Sequence, residues 1–243
     1  MYDIHCHLIY GVDDGSDSLD ESLRMLNIAV SGGTQGIVAT PHANISGSYE
    51  NYWTPELFAS LKEIREAAFN NNIPIEIFAG QEILCTSNTI ELLSKGKLIT
   101  LNNSRYPLIE FPFGEYSSTV FARTQMLLAQ GLVPVIAHPE RYYFVQEDEE
   151  NLIRLHESGC ILQMNKGSLE GVFGEGAAYT SKFMLENDLV DCIASDSHSP
   201  YSRTPFLEDI HEIIADDFDM DYAELLLYEN PMNIICNKEI ESF

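Results

Sequence analysis

His5 and His7 stand two residues apart in the opening segment Met1-Tyr2-Asp3-Ile4-His5-Cys6-His7, and Asp13-Asp14-Gly15 follows after a short loop. On a β-strand, side chains at i and i+2 leave the same face. Two imidazoles placed this way can ligate one metal ion, and Asp14 can add a carboxylate from the loop. Taken alone, the pair reads equally well as two polar strand residues facing water. The rest of the chain decides, because it repeats the arrangement. His42, Glu82, Glu110, His138, Asp196 and His198 each fall at or just past the end of a short apolar run.

Those runs predict strands at Tyr2–His7, Gly36–Thr40, Ile75–Ala79, Tyr106–Phe111, Val133–Ala137, Cys160–Met164 and Asp191–Ala194. Helical patterns lie between them. The first starts at Ser18, which with Glu21 makes a capping box, carries Leu19, Leu23, Leu26 and Val30 on one face, and ends at Gly32-Gly33. The second opens at Thr54-Pro55. Others are expected near Asn88–Ser94, Ser117–Gln130, Glu149–Ser158 and Tyr179–Asn187, with one opening at Thr204-Pro205 and a last over Tyr222–Glu229. Strand alternating with helix implies parallel strands joined by crossovers. Continuous apolar strands imply that both sheet faces are covered. An open doubly wound sheet and a closed barrel both satisfy the pattern. Neither Gly-x-Gly-x-x-Gly after the first strand nor a GxxxxGK[ST] loop is present, so nucleotide folds gain no support. With no linker-like stretch or long repeat, residues 1–243 read as one domain.

In α/β barrels the C-terminal ends of the strands carry the active site. Nine candidate metal ligands fall at that end: His5, His7, Asp14, His42, Glu82, Glu110, His138, Asp196 and His198. The set takes five of the seven histidines; His156 and His211 fall inside helices and read as surface or packing residues. Each ligand has a plainer alternative as a turn, cap or loop residue. Glu110, between Ile109 and Phe111, is hardest to explain that way, because a buried carboxylate needs a partner. Four carboxylates and five imidazoles exceed the needs of one ion. Mixed nitrogen and oxygen donors without thiolate suit manganese, iron, zinc or magnesium. Two or three clustered ions follow, and such clusters activate bound water and clamp oxyanions for in-line displacement. Arg141 and Arg203, three and five residues beyond His138 and His198, reach the same face. Guanidinium matches phosphate bidentately, so the pair points to a phosphate ester; the alternative is local pairing with Glu140 or Glu208.

The 38 acidic against 13 basic residues give a net charge of −25. That argues against nucleic acid or an anionic membrane as partner. No apolar run reaches membrane length and the N-terminus lacks a signal-peptide pattern, so a cytoplasmic protein without membrane insertion is expected. Five cysteines without a CxxC suggest neither a disulfide framework nor a zinc ribbon. Cysteine-dependent phosphatase chemistry needs an arginine six residues after the nucleophile; Val12, Glu91, Lys166, His198 and Ser242 occupy those positions.

The motifs IHCHLIYGVDDG, IVATPH, GQEI, LIEFPF, PVIAHPERY, QMNKGSLEGVFG and IASDSH resemble the PHP (polymerase and histidinol phosphatase) superfamily. More narrowly, they resemble its bacterial protein-tyrosine phosphatases of capsule and exopolysaccharide synthesis, from Met1 to about Arg203. The resemblance implies a distorted (β/α)7 barrel and a manganese- or iron-dependent site built from the nine positions. It implies Arg141 and Arg203 as phosphate ligands, a metal-activated hydroxide as nucleophile, and a tyrosine-phosphorylated protein as substrate. The usual partner of such enzymes is a cytoplasmic bacterial tyrosine kinase. Tyr10, Phe113, Tyr116 and Tyr142 can flank an aryl ring, although packing explains each more simply. The alternatives are a phosphoesterase for a small metabolite such as histidinol phosphate and a non-catalytic metal-binding regulatory module.

Overall fold

A computed structural model describes residues 1–242. Among these, the strand segments are β1 (Tyr2–Cys6), β2 (Gly36–Ala39), β3 (His42–Ala43), β4 (Glu76–Ala79), β5 (Glu82–Leu84), β6 (Leu108–Glu110), β7 (Val135–Ala137), β8 (Ile161–Asn165) and β9 (Cys192–Ala194). All pairings are parallel, in the orders β1-β2-β4 and β3-β5-β6-β7-β8-β9. β2 and β3 are halves of one stave broken at Thr40-Pro41, and β4 and β5 are halves of another broken at Gly80-Gln81. Seven staves result, in the places the apolar runs predicted.

The ring closes between the first and last staves. The His7 amide donates to the Ser197 carbonyl at 2.9 Å, and the Asp196 amide donates to the His5 carbonyl at 2.9 Å. A parallel bridge joins Cys6 to Ser197. Asp3 reinforces the seam: one carboxylate oxygen accepts from the Ser195 amide at 3.1 Å, and the other from the Ser195 hydroxyl at 2.6 Å. The sequence is thus an α/β barrel rather than an open sheet.

Alternation along the strands separates two layers. Ile37, Ile77, Ile83, Ile109, Ile136, Leu162, Met164 and Ile193 face outward against surrounding helices. The helix Leu19–Ser31 contributes Met25 and Leu26, and Pro55–Asn70 contributes Leu57, Leu61 and Ile64. Inside the barrel, Ile4, Val38, Leu108, Val135, Ile161 and Cys192 form an apolar floor, plugged from below by Leu101, Tyr106, Ile234 and Ile235. Above that floor the inward positions turn polar: Ile161 is followed by Gln163 and Asn165 on β8, and Leu108 by Glu110 on β6. β1 shifts register between Asp3 and Cys6. Ile4 therefore joins the floor while His5, its neighbour, still reaches across to Gln163.

Four helix expectations need correction. The Ser18 hydroxyl accepts from the Glu21 amide, but Glu21 reaches back to the Asp17 amide rather than to Ser18, so the capping box is open on one side. The helix expected at Thr204-Pro205 begins at Glu208. Lys166 holds the intervening turn by donating to the Phe206 carbonyl and to Asp209, while the Phe206 ring lies against Gly32. The helix expected from Tyr179 already starts at Glu175, after Gly174 at φ 94°. The last predicted helix runs on through a π-helical stretch, Leu225–Glu229, into Asn230–Ile235.

Asp3→Ala removes the acceptor for three donors, the Ser195 amide and hydroxyl across the seam and the His5 amide, and should cost about 2–3 kcal/mol of unfolding free energy, read by urea denaturation. Asp3→Asn should cost less, because the Ser195 hydroxyl can rotate to accept from the new amide. Equal stability of Asp3→Ala and wild type would mean that the seam does not depend on this residue.

Candidate metal-dependent active site

At the C-terminal mouth of the barrel the staves deliver their polar ends to one pocket of about 170 Å³. Asp14, His42, Glu82, Glu110, His138, Arg141, Asp196, His198 and Arg203 line it together with Phe113. His5 and His7 lie beneath, fully buried, with Nε2 atoms 3.3 Å apart. All nine candidate ligands and both arginines therefore meet in one place, drawn from six staves and the loops after them.

Donor and acceptor roles are fixed from outside the pocket. His5 Nδ1 lies 2.9 Å from Gln163 Oε1, whose amide nitrogen is engaged by the Met164 carbonyl and Asn165 Oδ1. His7 Nδ1 lies 2.8 Å from Asp13 Oδ2. His198 Nδ1 lies 3.0 Å from the Asp196 carbonyl. Each partner is an oxygen acceptor, so each Nδ1 carries hydrogen and each neutral ring turns a bare Nε2 inward. His5 Nε2 is 3.4 Å from Glu82 Oε2 and 3.3 Å from Asp196 Oδ1; His7 Nε2 is 3.3 and 3.5 Å from the same atoms. Four lone-pair donors thus converge. Only positive charge among them, from protons or a metal ion, stabilises that arrangement.

The spacing fits a metal ion. His5 Nε2, His7 Nε2 and Asp196 Oδ1 form a triangle with sides of 3.3, 3.3 and 3.5 Å. Its centre lies about 1.9 Å from each corner, close to the usual ligand distance of about 2.0–2.2 Å, so these three atoms could hold one ion. A second group is His42, Glu82 and Glu110, and a third is His7, Asp14, His42 and His198. His42 Nδ1 and Glu82 Oε2 are buried and only 2.8 Å apart, yet neither makes a hydrogen bond. Two orphaned atoms that close are what a shared cation would satisfy. His138 falls outside the three groups; its Nε2 lies 2.9 Å from Glu82 Oε1 and its buried Nδ1 has no partner.

Charges in the pocket are out of balance in the same sense. Burial, then the charge of Glu82, pushes the Glu110 carboxyl up to about 8. Burial, then neighbouring His7, pushes His198 down to about 3. Burial would also raise Asp196, but positive charge around it, on His5 and His7 when they are protonated and on Arg203, outweighs burial and holds the carboxyl well below the ordinary range. Bound cations relieve the repulsion that keeps Glu110 protonated.

Asp196 faces two ways. Its Oδ1 belongs to the candidate metal group with His5 and His7, while Oδ2 accepts from Asn165 at 2.6 Å, Arg203 at 2.5 Å and Arg141 at 3.3 Å. The arginines thus pair with Asp196 rather than with Glu140 or Glu208. His138, Asp196 and Arg203 all have positive φ, at 37°, 48° and 49°, in a region that non-glycine residues seldom adopt. Each turn is held by its surroundings; the Arg203 carbonyl, for instance, accepts from the His198 amide.

Several functional neighbours escaped sequence reading. Asp13, not Asp14, is the buried member of the acidic pair: their side chains are 0% and 52% exposed. A loop has no period to tell adjacent residues apart. Gly15 is needed because a Cβ there would lie 2.4 Å from His7 Cβ. Gln163 and Asn165 were legible in principle, as an i, i+2 polar pair in an apolar strand. The aryl-flanking candidates divide. Phe113 lines the pocket. Tyr142 is buried, its hydroxyl accepting from the Phe111 amide and donating to the Ala137 carbonyl. Tyr10 bonds Glu63, and Tyr116 is exposed.

A family model described as capsular polysaccharide synthesis, CpsB/CapC, matches residues 1–236. The chain belongs to the CpsB/CapC family. It is 35% identical to the tyrosine-protein phosphatase CpsB of Streptococcus pneumoniae, over 99% of this chain and all of that protein. It is 32% identical to the tyrosine-protein phosphatase YwqE of Bacillus subtilis, over 99% of this chain and 93% of the relative. A crystal structure from a study of YwqE and CpsB, described there as unique metal-dependent tyrosine phosphatases, superposes with a TM-score of 0.92 at 32% identity, covering 100% of this chain and 97% of that one. Beyond the family, the lactonase Lmo2620 of Listeria monocytogenes (TM-score 0.66, 10% identity, 98% and 95% covered) shares the fold alone.

Asp13→Ala frees the Nδ1 of His7 and should weaken binding of a divalent transition ion about 10- to 100-fold, measured by equilibrium dialysis on metal-free protein. Unchanged affinity would remove Asp13 from the support of this site.

Proposed function

We propose that this CpsB/CapC family member is a metal-dependent protein-tyrosine phosphatase, a phosphoric monoester hydrolase that forms one domain over residues 1–243. It acts in the cytoplasm on tyrosine-phosphorylated protein, with a bacterial tyrosine kinase as the fitting partner, and so regulates capsule or exopolysaccharide production. The observation that carries the reading is the convergence of bare nitrogen and carboxylate lone pairs beneath two arginines in one pocket. The likeness to CpsB and YwqE over nearly the whole chain supports it.

His5, His7, Asp14, His42, Glu82, Glu110, His138, Asp196 and His198 would hold two or three ions, with manganese first and iron, zinc or magnesium as alternatives. Bound there, such ions lower the pKa of water and neutralise charge on a phosphoryl group. Arg141 and Arg203 present guanidinium N–H groups at the rim, where they would bind the equatorial phosphate oxygens and stabilise them as charge builds. Asp196 ties these arginines to the ligand cluster, so phosphate is gripped in register with it. A tyrosyl phenolate has a pKa of about 10, which lets it leave without a strong general acid.

The test compares phosphotyrosine peptide, phosphoserine peptide and histidinol phosphate side by side on manganese-loaded protein, with a chelator control. Chelator-sensitive turnover fastest on the tyrosine peptide is expected. Faster turnover of histidinol phosphate would move the substrate to small metabolites. No turnover with metal bound would favour a non-catalytic module. Arg141→Ala should lower kcat/KM about 100-fold or more at unchanged metal content; wild-type activity would remove Arg141 from the reaction.

A further inference from the structure

We infer that Phe173 is a positioning residue for both phosphate-binding arginines, completing with Phe113 an aromatic clamp around Arg141. The inference rests on Arg141 and Arg203 being the phosphate ligands. The guanidinium carbon of Arg141 lies 4.1 Å from the Phe173 ring centroid and 4.5 Å from that of Phe113. The guanidinium carbon of Arg203 lies 5.2 Å from the same Phe173 ring. One ring therefore serves two cations that approach from different staves, one after β7 and one beyond β9.

The need for a clamp follows from the charge beside it. Glu82, Glu110, Asp14 and Asp196 share the pocket with these arginines. A guanidinium free to turn would close on a carboxylate through two parallel N–H bonds. Neither arginine does so: each makes a single hydrogen bond, to Asp196 Oδ2. The faces of Phe113 and Phe173 attract the cations through their negative π-clouds, and offer no acceptor oxygen that would compete with phosphate. The remaining N–H groups stay free for a ligand, and Arg203 Nε is buried without a partner.

Both rings are seated by backbone. Phe113 follows Pro112, and its carbonyl accepts from the Tyr143 amide at 2.9 Å. Phe173 lies in the turn between the helices Lys166–Leu169 and Glu175–Glu186. Its edge packs on Gly167, where an added Cβ would come within 3.4 Å of the ring. Phe173 does not itself line the pocket, so it acts through the arginines.

The experiment measures inorganic phosphate as a competitive inhibitor, together with KM, kcat and metal content, for wild type, Phe173→Ala, Phe173→Leu, Phe173→Trp and Arg141→Ala. Phe173→Ala and Phe173→Leu are expected to raise the phosphate inhibition constant and KM about tenfold, with metal content and circular dichroism unchanged. Phe173→Trp should restore both, because indole offers the strongest cation–π face. Leucine keeps much of the bulk without the π-cloud, so a leucine variant that behaves like wild type would overturn the role. So would loss of metal along with phosphate affinity, which would assign Phe173 to packing. If Arg141→Ala weakens phosphate while both small Phe173 variants stay within twofold of wild type, only the clamp fails. If Arg141→Ala leaves phosphate affinity unchanged, the phosphate-ligand reading itself fails, and the clamp with it.

Discussion

Bare lone pairs of His5, His7, Glu82 and Asp196 point at one another across 3.3–3.5 Å at the mouth of the barrel. With both rings neutral, none of the described residues donates a hydrogen bond into their midst. Such an arrangement is unfavourable in a buried pocket unless positive charge fills it. The surroundings are arranged to keep the atoms there nonetheless. Asp13 and Gln163 fix the tautomers of two rings, and Asn165 fixes one side of Asp196. The apolar floor of Ile4, Val38, Leu108 and Val135 prevents the polar side chains from retreating into the barrel. On the proposed reading, the fold imposes this cation site before any cation arrives, and ions and protons compete for it.

The same constraint explains where the backbone departs from regular structure. β1 shifts register below His5, and His138, Asp196 and Arg203 adopt left-handed conformations. Such conformations persist only where neighbouring contacts determine them. Here those contacts are the seam bond from the Asp196 amide to the His5 carbonyl and the local bonds from the Arg141 amide to the His138 carbonyl and from the His198 amide to the Arg203 carbonyl. Asp196 links the two halves of the chemistry, with one oxygen toward the ligand cluster and the other toward the arginines. On the proposed reading, phosphate recognition and metal binding share one carboxylate.

Much of this was legible in the sequence for a simple physical reason. Parallel strands covered on both faces read as short apolar runs, and a polar residue ending each run stands out. Eight of the nine candidate ligands came from that contrast, and the seven staves with them; Asp14 came from the loop after the first stave, and Arg141 and Arg203 from the scarcity of basic residues and their places after His138 and His198. Barrel and open sheet could not be separated by pattern, because closure depends on the β1–β9 seam, a contact between residues nearly two hundred positions apart. Asp13 was passed over for Asp14 because loop residues carry no periodicity. Phe173 gave no signal, since its partners Arg141 and Arg203 lie in other segments and only the folded turn brings them together. The start of the helix at Glu208 was misplaced because Lys166, from a different stave, holds the preceding turn.

Whether the convergent groups bind ions can be read from anomalous diffraction by manganese-loaded crystals. The account predicts two or three anomalous peaks within coordination distance of the groups His5/His7/Asp196, His42/Glu82/Glu110 and His7/Asp14/His42/His198. A pocket without an anomalous peak in protein that carries manganese elsewhere, or protein that takes up no manganese, would contradict it.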